Sequence, residues 1–202
     1  MANMQNMFKD CTLLEVLELP NIQTQSSLSF AGLFSGCENL LSLDLTSFDT
    51  SLVTEFSDLF LNCHKLRSIT FPNGERWDTS EGKLMRSMFE GCWDLTSLSL
   101  TIFKTQEVTL MNNMFKDCSK LEKLELNFNT KNVNKMDEMF SNVTSLRNLD
   151  LSSFDTSNVD SAKDIWKGIT ELTLIIDEDK NGNILADKPE GIVIVKPDET
   201  NY

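Results

Sequence analysis

The stretch Met114-Phe115-Lys116-Asp117-Cys118-Ser119-Lys120-Leu121-Glu122-Lys123-Leu124-Glu125-Leu126 decides the fold, because versions of it recur along the chain. Its aromatic returns as Phe8, Phe34, Phe60, Phe89, Phe115, Phe140 and Trp166, in steps of 26, 26, 29, 26, 25 and 26 residues. Three residues after it, one column holds all five cysteines, Cys11, Cys37, Cys63, Cys92 and Cys118, and then Val143 and Ile169. A Leu-x-x-Leu-x-Leu run follows, as in Leu40/Leu43/Leu45 and Leu146/Leu149/Leu151, and then a second apolar position at Ile22, Phe48, Trp77, Phe103, Phe128 and Phe154. A fixed period of this length marks a stack of repeated coils.

Within one coil, Val108-x-x-Met111-x-x-Met114-Phe115 places apolar residues at offsets that share one side of a helix. Two helical turns per repeat are predicted there. The Leu-x-Leu ending alternates, so Leu124 and Leu126 point inward and Glu125 outward, which predicts a short strand. Stacking these units predicts an α/β repeat solenoid of about seven coils, with parallel strands on one face and short helical turns on the other. Residues 1–176 form this unit, and 177–202 form a C-terminal capping β-hairpin and tail built on Leu172-Thr173-Leu174-Ile175-Ile176 and Ile192-Val193-Ile194-Val195. Met4-Gln5-Asn6-Met7-Phe8 already lies in mid-repeat, so residue 1 reads as a cut within a longer chain.

The segment Leu146-x-x-Leu149-Asp150-Leu151-Ser152-Ser153-Phe154-Asp155-Thr156-Ser157-Asn158-Val159, with Met-x-x-Met-Phe-x-x-Cys elsewhere, resembles the BspA-like class of leucine-rich repeat found in bacterial surface proteins. The likeness spans roughly residues 4–176. It implies a leucine-rich-repeat solenoid at the cell surface or secreted. It also implies non-enzymatic adhesion, with a repeat face holding a protein or glycan on a host or neighbouring cell. The alternative is a structural spacer that displays another domain of a longer chain.

The formal net charge of −13 argues against nucleic acid, whose phosphates attract Lys and Arg. No apolar run approaches the length needed to cross a membrane, and no signal peptide is visible in this segment. Catalytic signatures of the G-x-S-x-G and H-E-x-x-H kinds are absent, so the chain reads as a non-enzyme without a cofactor. The single histidine, His64, falls at a variable position beside Cys63. The cysteine column lacks C-x-x-C spacing and reads as small buried thiols, a role that Val143 and Ile169 fill with aliphatic groups.

Three groups of residues are binding candidates. Glu18, Asp44, Thr70, Ser99, Glu125 and Asp150 fall in one outward column, where like charges on adjacent strands repel. A basic partner or a cation would relieve that repulsion, and so would water on a solvated face. Asn73, Gly74, Glu75 and Arg76 lie in the turn-forming stretch between Phe71 and Trp77 where the repeat gains three residues, an insertion that maps to a loop on the stack. Asp177, Asp179, Asn181 and Asn183 start a D-x-D-x-N-G-x-I series like that of a calcium loop, but Lys188 stands where the closing bidentate Glu belongs. The other reading of that segment is an Asn-Gly turn with solvated acids.

Overall fold

The computed structural model describes residues 4–72 and 76–197. Seven strands and one helix occur among them: β1 (Ser42–Asp44), β2 (Ser68–Thr70), β3 (Ser97–Ser99), β4 (Lys123–Glu125), β5 (Asn148–Asp150), β6 (Leu172–Ile175), α1 (Glu178–Leu185) and β7 (Ile192–Val195). The strands form three discrete parallel sheets, β1-β2, β3-β4 and β5-β6-β7. Residues one repeat apart lie side by side, for example Leu43 beside Ile69 and Leu98 beside Leu124. A second series of parallel bridges links Ser29, Glu55, Leu84, Leu110, Lys135 and Ser161 in turn.

Three ladders of side chains run through the interior. The aromatics Phe8, Phe34, Phe60, Phe89, Phe115, Phe140 and Trp166 stack with centroids 5.3 to 5.8 Å apart. In the cysteine column Cys11 is exposed, against the expectation of a buried thiol, and the other four donate to the carbonyl of the phenylalanine one coil back: Cys37 to Phe8, Cys63 to Phe34, Cys92 to Phe60 and Cys118 to Phe89, at 3.1 to 3.3 Å. Burial pushes these four thiols up, that of Cys37 to about 11. On another side of the coil, buried threonines donate forward. The Thr79 hydroxyl gives its proton to Lys104 O and accepts from Lys104 N, and Thr130 does the same with Asp155. Each ladder satisfies polar groups that burial would otherwise leave costly.

Two expectations about the coil are corrected here. The Met-Phe segments are not helical: α1 is the only helix among the described residues. In the fifth coil, the amides of Met114, Lys116 and Cys118 each bond a carbonyl three residues back. Those of Asn113, Phe115 and Asp117 instead leave the coil for carbonyls of Asp137, Met139 and Ser141 in the next one. Asn113 and Asp117 adopt φ of 58° and 61°. A left-handed residue at every fourth position is incompatible with a right-handed helix, so the segment becomes a run of tight turns.

The continuous strand face is likewise absent. The ladder is interrupted between β2 and β3, where the three-residue insertion falls, and again between β4 and β5. No strand forms around Leu17 and Leu19, and β1 begins only at Ser42. The fold is therefore three separate parallel sheets with a single helix, and not a leucine-rich-repeat solenoid whose helical turns alternate with one continuous sheet.

The C-terminal element also departs from expectation. β6 and β7 run parallel, so they form no hairpin, and α1 makes the crossover between them that a parallel pair requires. Asp177 caps α1 by accepting from the Asp179 amide, and acidic Glu178 and Asp179 occupy its positive first turn. Ile184 is buried, and its carbonyl accepts the Trp166 indole N–H at 2.6 Å.

Candidate functional site

The outward column of carboxylates is largely occupied by local bonds. Asp44 accepts the Thr46 amide at 2.8 Å, which holds its carboxyl below the usual range. Asp150 accepts the Ser152 amide at 2.8 Å. Glu125 is held down by Lys123, 2.8 Å away on the same strand, and by Ser99. The six residues are distributed over three sheets: Asp44 pairs with Thr70, Ser99 with Glu125 and Asp150 with Ile175, and Glu18 lies outside any strand. Glu18 and Asp44 line an open groove of about 530 Å³, and Ser99 and Glu125 line another of about 310 Å³ at the interruption between β2 and β3.

Asn73, Gly74 and Glu75 lie outside the described residues, and Arg76, at the end of that insertion, is exposed. The acidic segment after β6 is spent on capping the stack. Asn181 is buried and donates to the carbonyls of Phe154 and Asp177 at 3.1 and 2.8 Å. The Asn183 amide donates to Thr156 O at 2.5 Å and accepts the Thr156 hydroxyl at 2.6 Å. Asp177 is lowered chiefly by Lys180, whose ammonium sits 2.9 Å away. No cluster of three or more ligating His, Cys, Asp or Glu side chains occurs among the described residues. Of the two asparagines that the calcium pattern would use as ligands, Asn181 is thus buried in the stack, and Asn183, though exposed, has its amide engaged by Thr156.

A different surface brings chemistry together. The residue after the cysteine is His64 in the third coil, Trp93 in the fourth and Ser119 in the fifth. The His64 and Trp93 rings lie parallel, 3.7 Å apart with 6° between planes, and the indole remains 47% exposed. Beside it, Asp94 accepts Lys120 Nζ at 2.7 Å and lies 3.8 Å from the Arg67 guanidinium. Lys120 holds the Asp94 carboxyl below the ordinary carboxylate range. Trp93, Asp94, Asp117, Ser119 and Lys120 line an open recess of about 480 Å³.

The backbone fixes this shelf. The Trp93 amide bonds Gly91 O at 3.0 Å, and the Asp94 amide bonds His64 O at 3.0 Å, which ties the fourth coil to the third at this corner. Trp93 is further anchored between the buried Cys92 and Leu95. Sequence reasoning placed His64 at a variable position and passed over Trp93. The signal was present, because the spacing of 29 residues puts the two rings in one column across adjacent coils.

Among the described residues no helix is long and apolar enough to cross a membrane. Adhesion by a repeat face, and the spacer reading with it, rested on a solenoid that the three separate sheets do not form. The likeness to BspA-like leucine-rich repeats fails for the same reason. A search of curated proteins finds no match to the chain. The family model described as "Mycoplasma protein of unknown function, DUF285" matches residues 1–93 and, overlapping them, residues 66–180. These two matches span most of the chain, which therefore belongs to that family.

Proposed function

We propose that the chain is a non-catalytic recognition protein that meets a protein or glycan partner on a host or neighbouring cell, with Trp93 as its anchor. The carrying observation is the half-exposed indole held flat on His64. An aromatic fixed in this way offers a large contact area while losing little side-chain freedom on binding, which is why tryptophan dominates contact energies at interfaces. The charged rim of Asp94, Arg67 and Lys120 supplies orientation.

Two observations support a non-enzymatic role. His64 is engaged in ring stacking, and the neighbouring Cys63 thiol donates to Phe34 O with its ionisation suppressed by burial. A nucleophile needs the opposite environment. The net charge of −13 favours partners other than nucleic acid. A partner on another cell is met from outside, so the protein is surface-exposed or secreted on this reading.

The test is binding of purified protein to immobilised extracellular-matrix proteins and cell-surface glycans, wild type against Trp93→Ala. Loss of at least about tenfold in affinity for a bound partner is expected for removal of an aromatic anchor. Equal binding by a folded Trp93→Ala variant would contradict the reading.

A further inference from the structure

We propose that the recess beside Trp93 is a sugar site, which seats one pyranose ring on the free face of the indole, directly over Ser119. This rests on the reading of Trp93 as the partner contact and names the chemistry of that contact.

The geometry comes from the repeat. Trp93 and Ser119 enter the corner through the same turn, the Trp93 amide bonding Gly91 O and the Ser119 amide bonding Asp117 O at 2.8 Å. Trp93 therefore stands to His64 as Ser119 stands to Trp93. A ring in the fifth coil would continue the stack, but serine carries only a hydroxymethyl group there. The missing layer is the recess, bounded by the indole on one side and by Asp94, Asp117, Ser119 and Lys120 around it.

The rim chemistry selects the occupant. Asp94 and Asp117 each hold one identified partner on Oδ1, Lys120 Nζ and the Asn142 amide respectively, both at 2.7 Å. A carboxylate has acceptor capacity beyond one such bond, and an ammonium has three donors. The rim thus offers acceptors and donors around an apolar plate. A pyranose has the complementary form, with C–H bonds on a flat face and hydroxyls at its edge. A purely apolar ring would strip water from Asp117 and Lys120 without replacing its hydrogen bonds. A guanidinium, drawn by Asp94 and Asp117 and opposed by Lys120, is the competing occupant that the titration separates.

The chain contains three tryptophans, and Trp77 and Trp166 are buried, so fluorine NMR of protein labelled with 5-fluorotryptophan isolates the shelf. Methyl glycosides of glucose, galactose, mannose and N-acetylglucosamine are titrated to about 100 mM, since a one-ring ligand with few contacts binds in the millimolar range. At least one glycoside is expected to shift the Trp93 resonance saturably and leave the other two in place. Ser119→Phe, which fills the step and keeps Trp93, is expected to weaken that binding by about tenfold or more, and Ser119→Ala to retain it. Silence of Trp93 to every glycoside, a stronger response to methylguanidinium, or indifference to Ser119→Phe would overturn the sugar assignment. If the glycosides fail while Trp93→Ala still abolishes partner capture, the sugar falls and the shelf stands. If Trp93→Ala is also silent there, both fall.

Discussion

The side-chain oxygen of Asn62 lies 2.5 Å from the point where a Cβ on Gly91 would stand, one coil above it. The two belong to a column, Asp10, Gly36, Asn62, Gly91, Asp117, Asn142 and Gly168, in which every backbone is left-handed. An Asx side chain in one coil leans over a glycine in the next, and where two Asx residues meet, Asn142 donates to Asp117 instead. Gly91→Ala combines a left-handed alanine, costing about 1–2 kcal/mol, with steric overlap of about 1–3 kcal/mol. Chemical denaturation should show about 2–5 kcal/mol of lost stability. Asn62→Gly in the same chain should restore the overlap part only, a coupling that a double-mutant cycle measures.

The thiol ladder gives a pH signature. Thiols whose folded pKa is raised bind protons that the unfolded chain has already released above about pH 9. Their contribution is complete below that pH and is lost as pH climbs through the folded value, about 11 for Cys37 and higher for the more deeply buried three. Each fully buried thiol should cost about 1.4 kcal/mol per pH unit above 9. Cys92→Val, which copies Val143 in the same column, should change stability at pH 7 by less than about 1.5 kcal/mol. It should flatten the fall in Tm between pH 9 and 11. An unchanged slope would remove the thiols as its cause.

Thr79 both donates to and accepts from the backbone of Lys104. Valine has the same shape without the hydroxyl and leaves the part-buried N–H and C=O of Lys104 without that partner, so Thr79→Val should lose about 1–2 kcal/mol. Thr79→Ser keeps both bonds and should lose less. Urea denaturation of the three proteins separates hydrogen bonding from packing.

At the far end, Asn183 closes the threonine ladder on Thr156. Asn183→Ala should lower stability by about 1 kcal/mol by removing two bonds of Thr156, whose hydroxyl keeps Lys180 O as an acceptor. Because the Asn181 side chain is buried and the Asn183 amide is taken up by Thr156, about 1 mM calcium should leave the Tm of the wild type unchanged, although extracellular modules commonly bind at that concentration. A rise in Tm with calcium would return the ion to this segment.

The repeat register was legible because phenylalanine, cysteine and leucine recur where one buried layer meets the next. The turns were misread because Val108, Met111 and Met114 satisfy a helical spacing equally well in a run of tight turns. The discriminating residues lay between them: Asp10, Gly36, Asn62, Gly91, Asp117, Asn142 and Gly168 are all Asp, Asn or Gly, the residues that tolerate positive φ. The parallel pairing of β6 and β7 was hidden because an Asn-Gly pair suggests a hairpin, whereas the Asp177 cap and the buried Ile184 favour a helix. Trp93 was missed because single repeats show which residues vary, and only superposed coils show which variable residues touch.

The most direct measurement is binding of labelled protein to intact host and neighbouring cells. It compares wild type, Trp93→Ala and the strand-column double variant Asp44→Lys with Glu125→Lys, each checked for an unchanged Tm. Trp93→Ala is expected to lose at least about tenfold in affinity while the double charge reversal binds as wild type does. The opposite pattern, with Trp93→Ala binding fully and the charge reversal abolishing binding, would contradict Trp93 as the anchor.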